Sequence, residues 1–405
     1  MHPHHIRTLL AILLSAIASL PESRGAELID DHVDVTFRYL TGTGVWEGFY
    51  NWGGTENNPT NETPFDLGAL PARDRPDLPP LPPPDNGPDP DAGERFVQPP
   101  VSSFDFTGVP DGNPIWIYSQ SDLGYTWPGM RSDQPSSGTF KIRTTGDSRA
   151  PSSQRWIKAS LESVTYAGQS SNPHFSAWQI QSGSPVVWMS TFENGIDSTD
   201  CYYFTELSHT HLSWGFSALG IYRVSMRASA VLDSNSQTVQ SDPFDVTFVI
   251  GTYANWIAQH YSGPALVDDT MSGPMSDSDE DNVTLLEEYA FNLLPKVPDR
   301  KELVPVTGTS GLPYPSVHPS GGSDRLHLEF LVRKTANNPQ IVYTVQFNDT
   351  LDPGNWQDGG TIVSTNSIDD TWERVVVADP TSVSASTSGR RFARVVITLL
   401  DSITY

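Results

Sequence analysis

The run His209-Thr210-His211-Leu212-Ser213-Trp214-Gly215-Phe216 constrains the chain more than any other. Read as a strand, it sets Thr210, Leu212, Trp214 and Phe216 on one face and His209, His211 and Ser213 on the other, because successive side chains point to opposite sides. One face docks on a core while both imidazoles stay off it. Leu219-Gly220 reads as a turn, after which Tyr222, Val224 and Met226 resume the alternation. His32-Val33-Asp34-Val35-Thr36-Phe37-Arg38-Tyr39 follows the same rule, with Val33, Val35, Phe37 and Tyr39 inward and His32, Asp34 and Thr36 outward.

These outward positions carry the first candidate site. His209 and His211, two apart on a strand face, are about 6.6 Å apart by strand rise. Imidazoles so placed chelate a transition metal, with zinc the default choice. His32 and Asp34 repeat the spacing, so three or four ligands converge if the two strands are neighbours. The alternative is a set of polar groups, hydrogen-bonded or wet, on the outer face of a sandwich.

Short strand signals recur between residues 102 and 250: Ile115–Tyr118, Thr139–Arg143, Trp156–Tyr166, Phe175–Gln181, Val186–Thr191, Tyr222–Ala228 and Phe244–Ile250. Turn residues separate them, helped by 34 Pro and 31 Gly. This pattern predicts a mostly β fold whose main body, residues 26–250, is a large β-sandwich. Residues 71–100 are different material. Asp77–Asp85 is proline-dense and acidic, cannot pair in a sheet and favours extended polyproline structure, so it reads as an exposed insertion, a spacer rather than a ligand for a proline-recognising domain. Residues 251–300 read as a connector of two short helices, Tyr253–Tyr261 and Leu285–Leu293, around an acidic loop. Leu326–Val332, Ile341–Gln346, Arg374–Val377 and Phe392–Thr398 predict a small C-terminal β-sandwich over 301–405.

The acidic loop is the second candidate site. Asp277, Asp279, Asp281 and Glu288 occupy positions 1, 3, 5 and 12 of a calcium loop, supplying hard oxygen ligands and a helix-borne bidentate carboxylate. Position 6, normally Gly, is Asn282, which also tolerates a left-handed backbone. Asp268 and Asp269 are further oxygen donors. The ion expected here is structural, pinning the two helices; the alternative is a solvated acidic linker.

Arg7, the apolar run Leu9–Leu20 and the small residues of Ser23-Arg24-Gly25 form the three-part pattern of a secretory signal over residues 1–25, too short for a membrane span. Val395–Tyr405 carries no hydrophobic anchor or sorting motif, so the expectation is an exported, soluble protein or one held by non-covalent contacts. The net charge is −24, which repels nucleic acid and anionic lipid. The single cysteine, Cys201, excludes an internal disulfide framework; it is expected to be buried and, without a basic partner in view, a poor nucleophile. No Gly-x-Ser-x-Gly elbow, phosphate loop, dinucleotide fingerprint or His-Glu-x-x-His is present, so no enzymatic role is expected. Trp46, Trp52, Trp116 and Trp127, if exposed, would form a sugar-stacking platform; packing in cores is the commoner role.

His32-Val33-Asp34-Val35, together with His209-Thr210-His211-Leu212-Ser213-Trp214-Gly215-Phe216 and Gly220-Ile221-Tyr222, resembles the bacterial choice-of-anchor M domain over about residues 28–250. Asp277–Leu294 resembles an Asp-x-Asp-x-Asp-Gly…Asn-Leu-Leu-Glu-Tyr-Ala segment of exported verrucomicrobial and planctomycete proteins, with Asn282 replacing Gly and Leu285 replacing Asn, the latter removing one ligand. The region with Tyr343–Gln346, Trp356 and Arg390–Val395 resembles the β domain that follows that segment. The resemblance implies a surface or exported location and no established enzymatic activity; some relatives accompany metal-uptake transporters. The leading expectation is a non-catalytic cell-surface or extracellular structural or interaction protein with a calcium loop and envelope components as partners. The others are a zinc-type metal-binding surface protein using His32, Asp34, His209 and His211, and a secreted carbohydrate-binding protein.

Overall fold

The computed structural model describes residues 24–53, 61–72, 95–133, 136–150, 153–192, 194–320 and 323–400. Most of the signal segment and of the proline-rich insertion, residues 1–23 and 73–94, lie outside the described residues. The fold is mostly β, 47% strand against 11% helix, in several sheets of sandwich type. Among the described residues no helix is long and apolar enough to cross a membrane.

Three sheets build the large body. A seven-stranded sheet carries Trp156–Ala167, Gly220–Val231 and Phe244–Ile250 at its centre. Two five-stranded sheets lay their apolar faces on it. One holds the strand Trp127–Arg131 between His32–Leu40 and His209–His211; the other holds Ser213–Phe216 between Phe175–Gln181 and Pro114–Tyr118. Val33, Val35 and Phe37, from the first, and Trp214 and Phe216, from the second, are fully buried with Tyr222, Val224, Met226 and Phe248 of the large sheet. Burying one such side chain contributes about 1.5–3 kcal/mol, so these alternating faces hold the body together.

The central run is not one strand. It breaks at Leu212, and its halves join different sheets. Leu212 is buried at the crossing, and Trp214 Nε1 donates to the Pro128 carbonyl at 3.2 Å, tying the second five-stranded sheet back to the first. The segment Thr139–Arg143 forms only isolated bridges, Phe140 to Leu232 and Arg143 to Gln154. Both flanks of the proline-rich insertion are strand rather than loop. Gly68–Ala72 is buried and Arg95–Val97 pairs with Pro114–Tyr118. Pro71 is tolerated there because the neighbouring strand Glu27–Leu28 pairs only as far as Ala69 and needs no N–H from residue 71.

Two short helices follow the large body, α1 (Thr252–Ala258) and α2 (Leu285–Phe291). They sit in a second core. Ile221, Val249 and Ala69, on the reverse face of the seven-stranded sheet, meet Ile257, Tyr261, Leu285 and Tyr289, and these meet Leu328, Phe330 and Val377 of the C-terminal strands. The C-terminal region has a four-stranded and a three-stranded sheet. Tyr289 Oη donates to the Pro339 carbonyl at 3.0 Å, and Arg333 Nε to the Tyr289 carbonyl at 2.7 Å, locking α2 onto it.

Candidate metal centre

The strands bearing His32 and His209 are not adjacent. Trp127–Arg131 runs between them, parallel to one and antiparallel to the other. Its register places Gly129 opposite both Asp34 and His211, while Trp127 is opposite His32 and Arg131 opposite His209. Neighbouring strands are about 4.8 Å apart, so the flanking side chains must reach over the middle strand to meet. Gly129 leaves them the room. A Cβ built on it would lie 2.9 Å from Asp34 Oδ1, 2.9 Å from His209 Nε2 and 3.1 Å from His211 Cε1.

One ligand atom from each of His32, Asp34, His209 and His211 lies within 4.8 Å of the others. His209 Nε2 is 2.8 Å from Asp34 Oδ1, His32 Nε2 is 3.7 Å from it, and the two imidazole nitrogens are 3.4 Å apart. A tetrahedral zinc ion with bonds of about 2.0–2.1 Å spaces its ligand atoms about 3.3 Å apart, so these separations bracket the requirement. Despite its closeness to His209, Asp34 Oδ1 is too poorly aligned to form a hydrogen bond; neither ring nitrogen of His211 forms one of normal geometry. Three buried polar atoms without partners in one spot are expensive to leave so, at about 1–3 kcal/mol each. A cation in their midst would engage Asp34 Oδ1 and one ring nitrogen of His211.

The surroundings prepare the ligands. Burial, reinforced by His209 and His32, pushes the His211 imidazole down to about 3, against a smaller opposing effect of Asp34 and the Pro128 carbonyl, so one ring nitrogen keeps a free lone pair at neutral pH. Trp127 stacks on the His211 ring at 3.7 Å with planes 8° apart, and lies 4.7 Å from the His32 ring. Gln179 Nε2 donates to the His211 carbonyl at 2.8 Å. Arg131 Nη1 donates to Asp34 Oδ2 at 3.1 Å, which orients the carboxylate and leaves Oδ1 toward the histidines. The outer face is far from wet: Asp34 and Thr36 are buried, and Arg38 bridges Asp133 and Glu62 beside them.

The acidic loop is also assembled. Asp277, Asp279 and Asp281 each bring an oxygen within 4.8 Å of the others. Asn282 has φ 65°, the left-handed turn expected of its position. Asp277 accepts from the Asp281 and Asn282 amides, and Asp281 Oδ2 from the Asp299 and Arg300 amides at 3.1 and 2.8 Å. A capping box between Thr284 and Glu287 starts α2. Glu288 lies outside the tight set of three, yet it shares their field. It is buried, its Oε2 has no partner, and burial followed by Asp279, Asp281, Asp299 and Asp277 pushes it up to about 8. Burial and the neighbouring Asp281 push Asp279 up as well. Asp268 does not join: its Oδ1 accepts from the Thr270 amide and hydroxyl, and Asp269 is likewise outside the set.

Other expected features land differently. Trp46 and Trp116 are buried and Trp127 is stacked on His211, so the four tryptophans form no exposed sugar platform. Trp52 is half-buried, its Nε1 donating to Thr63. Cys201 is buried as expected, but it does have a basic neighbour, Arg149 Nη2, 4.0 Å from its Sγ; burial still dominates and pushes the thiol up. Gly129, Arg131 and Asp299 were not singled out by sequence reasoning. The one signal for the first two was the phase of Trp127-Pro128-Gly129-Met130-Arg131, where a small residue shares a strand face with an aromatic and a cation. No family model matches the chain, and comparison with curated proteins yields no match either.

Proposed function

We propose that this protein is an exported, non-catalytic binder of a zinc-class transition metal, held by His32, Asp34, His209 and His211. One observation carries the reading: two segments far apart in sequence converge their ligand atoms within 4.8 Å, over a glycine whose side chain would fill the space. Three imidazoles and one carboxylate saturate a tetrahedral ion, leaving no open position for a substrate, and this favours storage, delivery or structural use over catalysis. The likeness to choice-of-anchor M domains, some of which accompany metal-uptake transporters, points the same way. The test is elemental analysis of purified protein. About one transition-metal ion per chain is expected in the wild type and none in a His209→Ala/His211→Ala variant. Unchanged metal content in the variant ends the reading.

A second ion is favoured by Glu288, a buried carboxylate with an unpartnered oxygen among four other carboxylates. Calcium fits the all-oxygen set, and its role would be to rigidify the connector. Calcium titration should raise the melting temperature, since a ligand that prefers the native state stabilises it by mass action. A melting curve indifferent to calcium would dismiss it.

A further inference from the structure

The sequence pattern places the end of the secretory signal at Gly25, immediately before Ala26. The Ala26 amide nitrogen is buried at the end of α1, 2.8 Å from the Ala258 carbonyl and 2.9 Å from the Tyr261 carbonyl. The single amide N–H is bifurcated, so the two acceptors share one donor. Gly25 is pressed onto the same helix end, where a Cβ on it would collide with the Gln259 carbonyl. Two carbonyls thus draw on one peptide N–H.

We propose that processing between Gly25 and Ala26 converts this nitrogen into an α-ammonium that docks between the Ala258 and Tyr261 carbonyls. The inference rests on the exported reading. The cut is a hydrolysis by a signal-peptidase-type enzyme acting on the translocating, unfolded chain. Water adds across the Gly25–Ala26 amide: the C–N bond breaks, the water oxygen joins the Gly25 carbonyl carbon, and both water protons end on the Ala26 nitrogen. The products are a carboxylate on the departing segment and an ammonium with three N–H donors on the mature chain. Three donors can serve each of the two carbonyls with its own N–H, and a cation is favoured beside carbonyls at a helix end.

Strand pairing holds the ammonium in register. Glu27 N donates to the Leu67 carbonyl at 2.9 Å and Ile29 N to the Ala69 carbonyl at 3.0 Å, so the segment after Ala26 is fixed on the edge of the seven-stranded sheet. Ala26 itself packs in the second core with Ile257 and Tyr261. The new terminus therefore joins the sheet edge to α1 at the junction between the large body and the connector.

Three measurements test this. Intact mass and N-terminal sequencing of protein recovered from an exporting host should show Ala26 as the first residue; any other start overturns the cut position, whatever the metal content. Protein starting at Ala26, prepared with its terminus free or N-acetylated, isolates the docking. The acetyl group restores the single amide donor, and the melting temperature should fall by roughly 2–4 °C, the shift produced by about one lost interaction. Equal melting with an Ala26 start overturns the docking while leaving export intact. Finally, exported Gly25→Ala protein should match the wild type in mature mass and melting temperature, because residue 25 has left. A heavier or less stable product would show that residue 25 stays, and would overturn the proposal. Circular dichroism and transition-metal stoichiometry, unchanged in all forms, confirm that each is folded.

Discussion

The histidine cluster draws its ligands from strands whose His32 and His209 are 177 residues apart, and it needs a third strand between them to hold the space open. The acidic loop draws Asp277, Asp279 and Asp281 from one turn of chain, with Glu288, outside that tight set but within its field, on the helix that the same loop starts. The difference is one of when each exists. A local loop can meet its ion as soon as the turn forms. The cross-strand cluster has no meaning until the sheet is built, so its binding energy is folding energy for the whole large body. The first is soft-ligand chemistry, imidazole on a rigid sheet; the second is hard oxygen on a turn. The two should therefore fail independently, and four experiments can break or sharpen that contrast.

The largest effect is expected from Gly129→Val. Its branched side chain would occupy the space between Asp34, His209 and His211, so transition-metal affinity should drop roughly 100-fold or more, with calcium binding unchanged. Isothermal titration with both ions measures this, and a joint loss of both would refute the independence. Next is Glu288→Gln, which removes a charged ligand. Calcium affinity should fall on the order of 100-fold. In chelator-treated protein the same variant should be more stable than wild type at pH 8–9, because it no longer holds a buried carboxylate ionised among other acids.

The pH dependence of chelator-treated protein comes third, and here the clusters oppose each other. The fold keeps His211 neutral down to about 3, whereas the unfolded chain protonates it below 6.5. The unfolded state then binds more protons, and stability falls as the pH drops through that window. Glu288 is the reverse: the fold takes up its proton near 8, the unfolded chain only near 4.5, so its contribution is lost as the pH rises from 4.5 to 8. Thermal melts of His211→Asn and Glu288→Gln should flatten the acid and the neutral limb respectively; a variant that leaves its own limb unchanged would contradict the assignment. The smallest effect is that of Arg131→Gln, which frees Asp34 Oδ2 without removing a ligand. A loss of transition-metal affinity of roughly 10-fold, at the low end of what outer partners contribute, is expected by competition titration.

Much of this was legible in the residues, for definite reasons. Alternation placed Val33, Val35, Phe37, Trp214 and Phe216 inside and His32, Asp34, His209 and His211 together on the other side, because a period of two has only two faces. The helices were legible from their periodicity and the turn at Asn282 from its side chain. Pairing partners were not. Nothing in His32–Tyr39 says that its neighbour is Trp127–Arg131, since register is set by long-range packing, and the enabling residue is a glycine, which has no pattern of its own. The break at Leu212 was hidden for a related reason: a strand that switches sheets keeps its alternation, so the sequence looks continuous where the hydrogen bonding is not. Asp299 was missed because it reaches the loop from beyond α2.

The seven-stranded sheet is covered on both sides at one end, by Tyr222, Phe248 and Leu70 facing one way and Ile221, Val249 and Ala69 facing the other. A gene fragment stopping at Ile250 would strip the latter three of their cover and display a greasy strip across one face of the sheet, an invitation to aggregate. The C-terminal strands would in turn lose the helices against which they close. Neither portion can be traded between proteins as a free-standing cassette; the halves must be inherited, and engineered, as a pair.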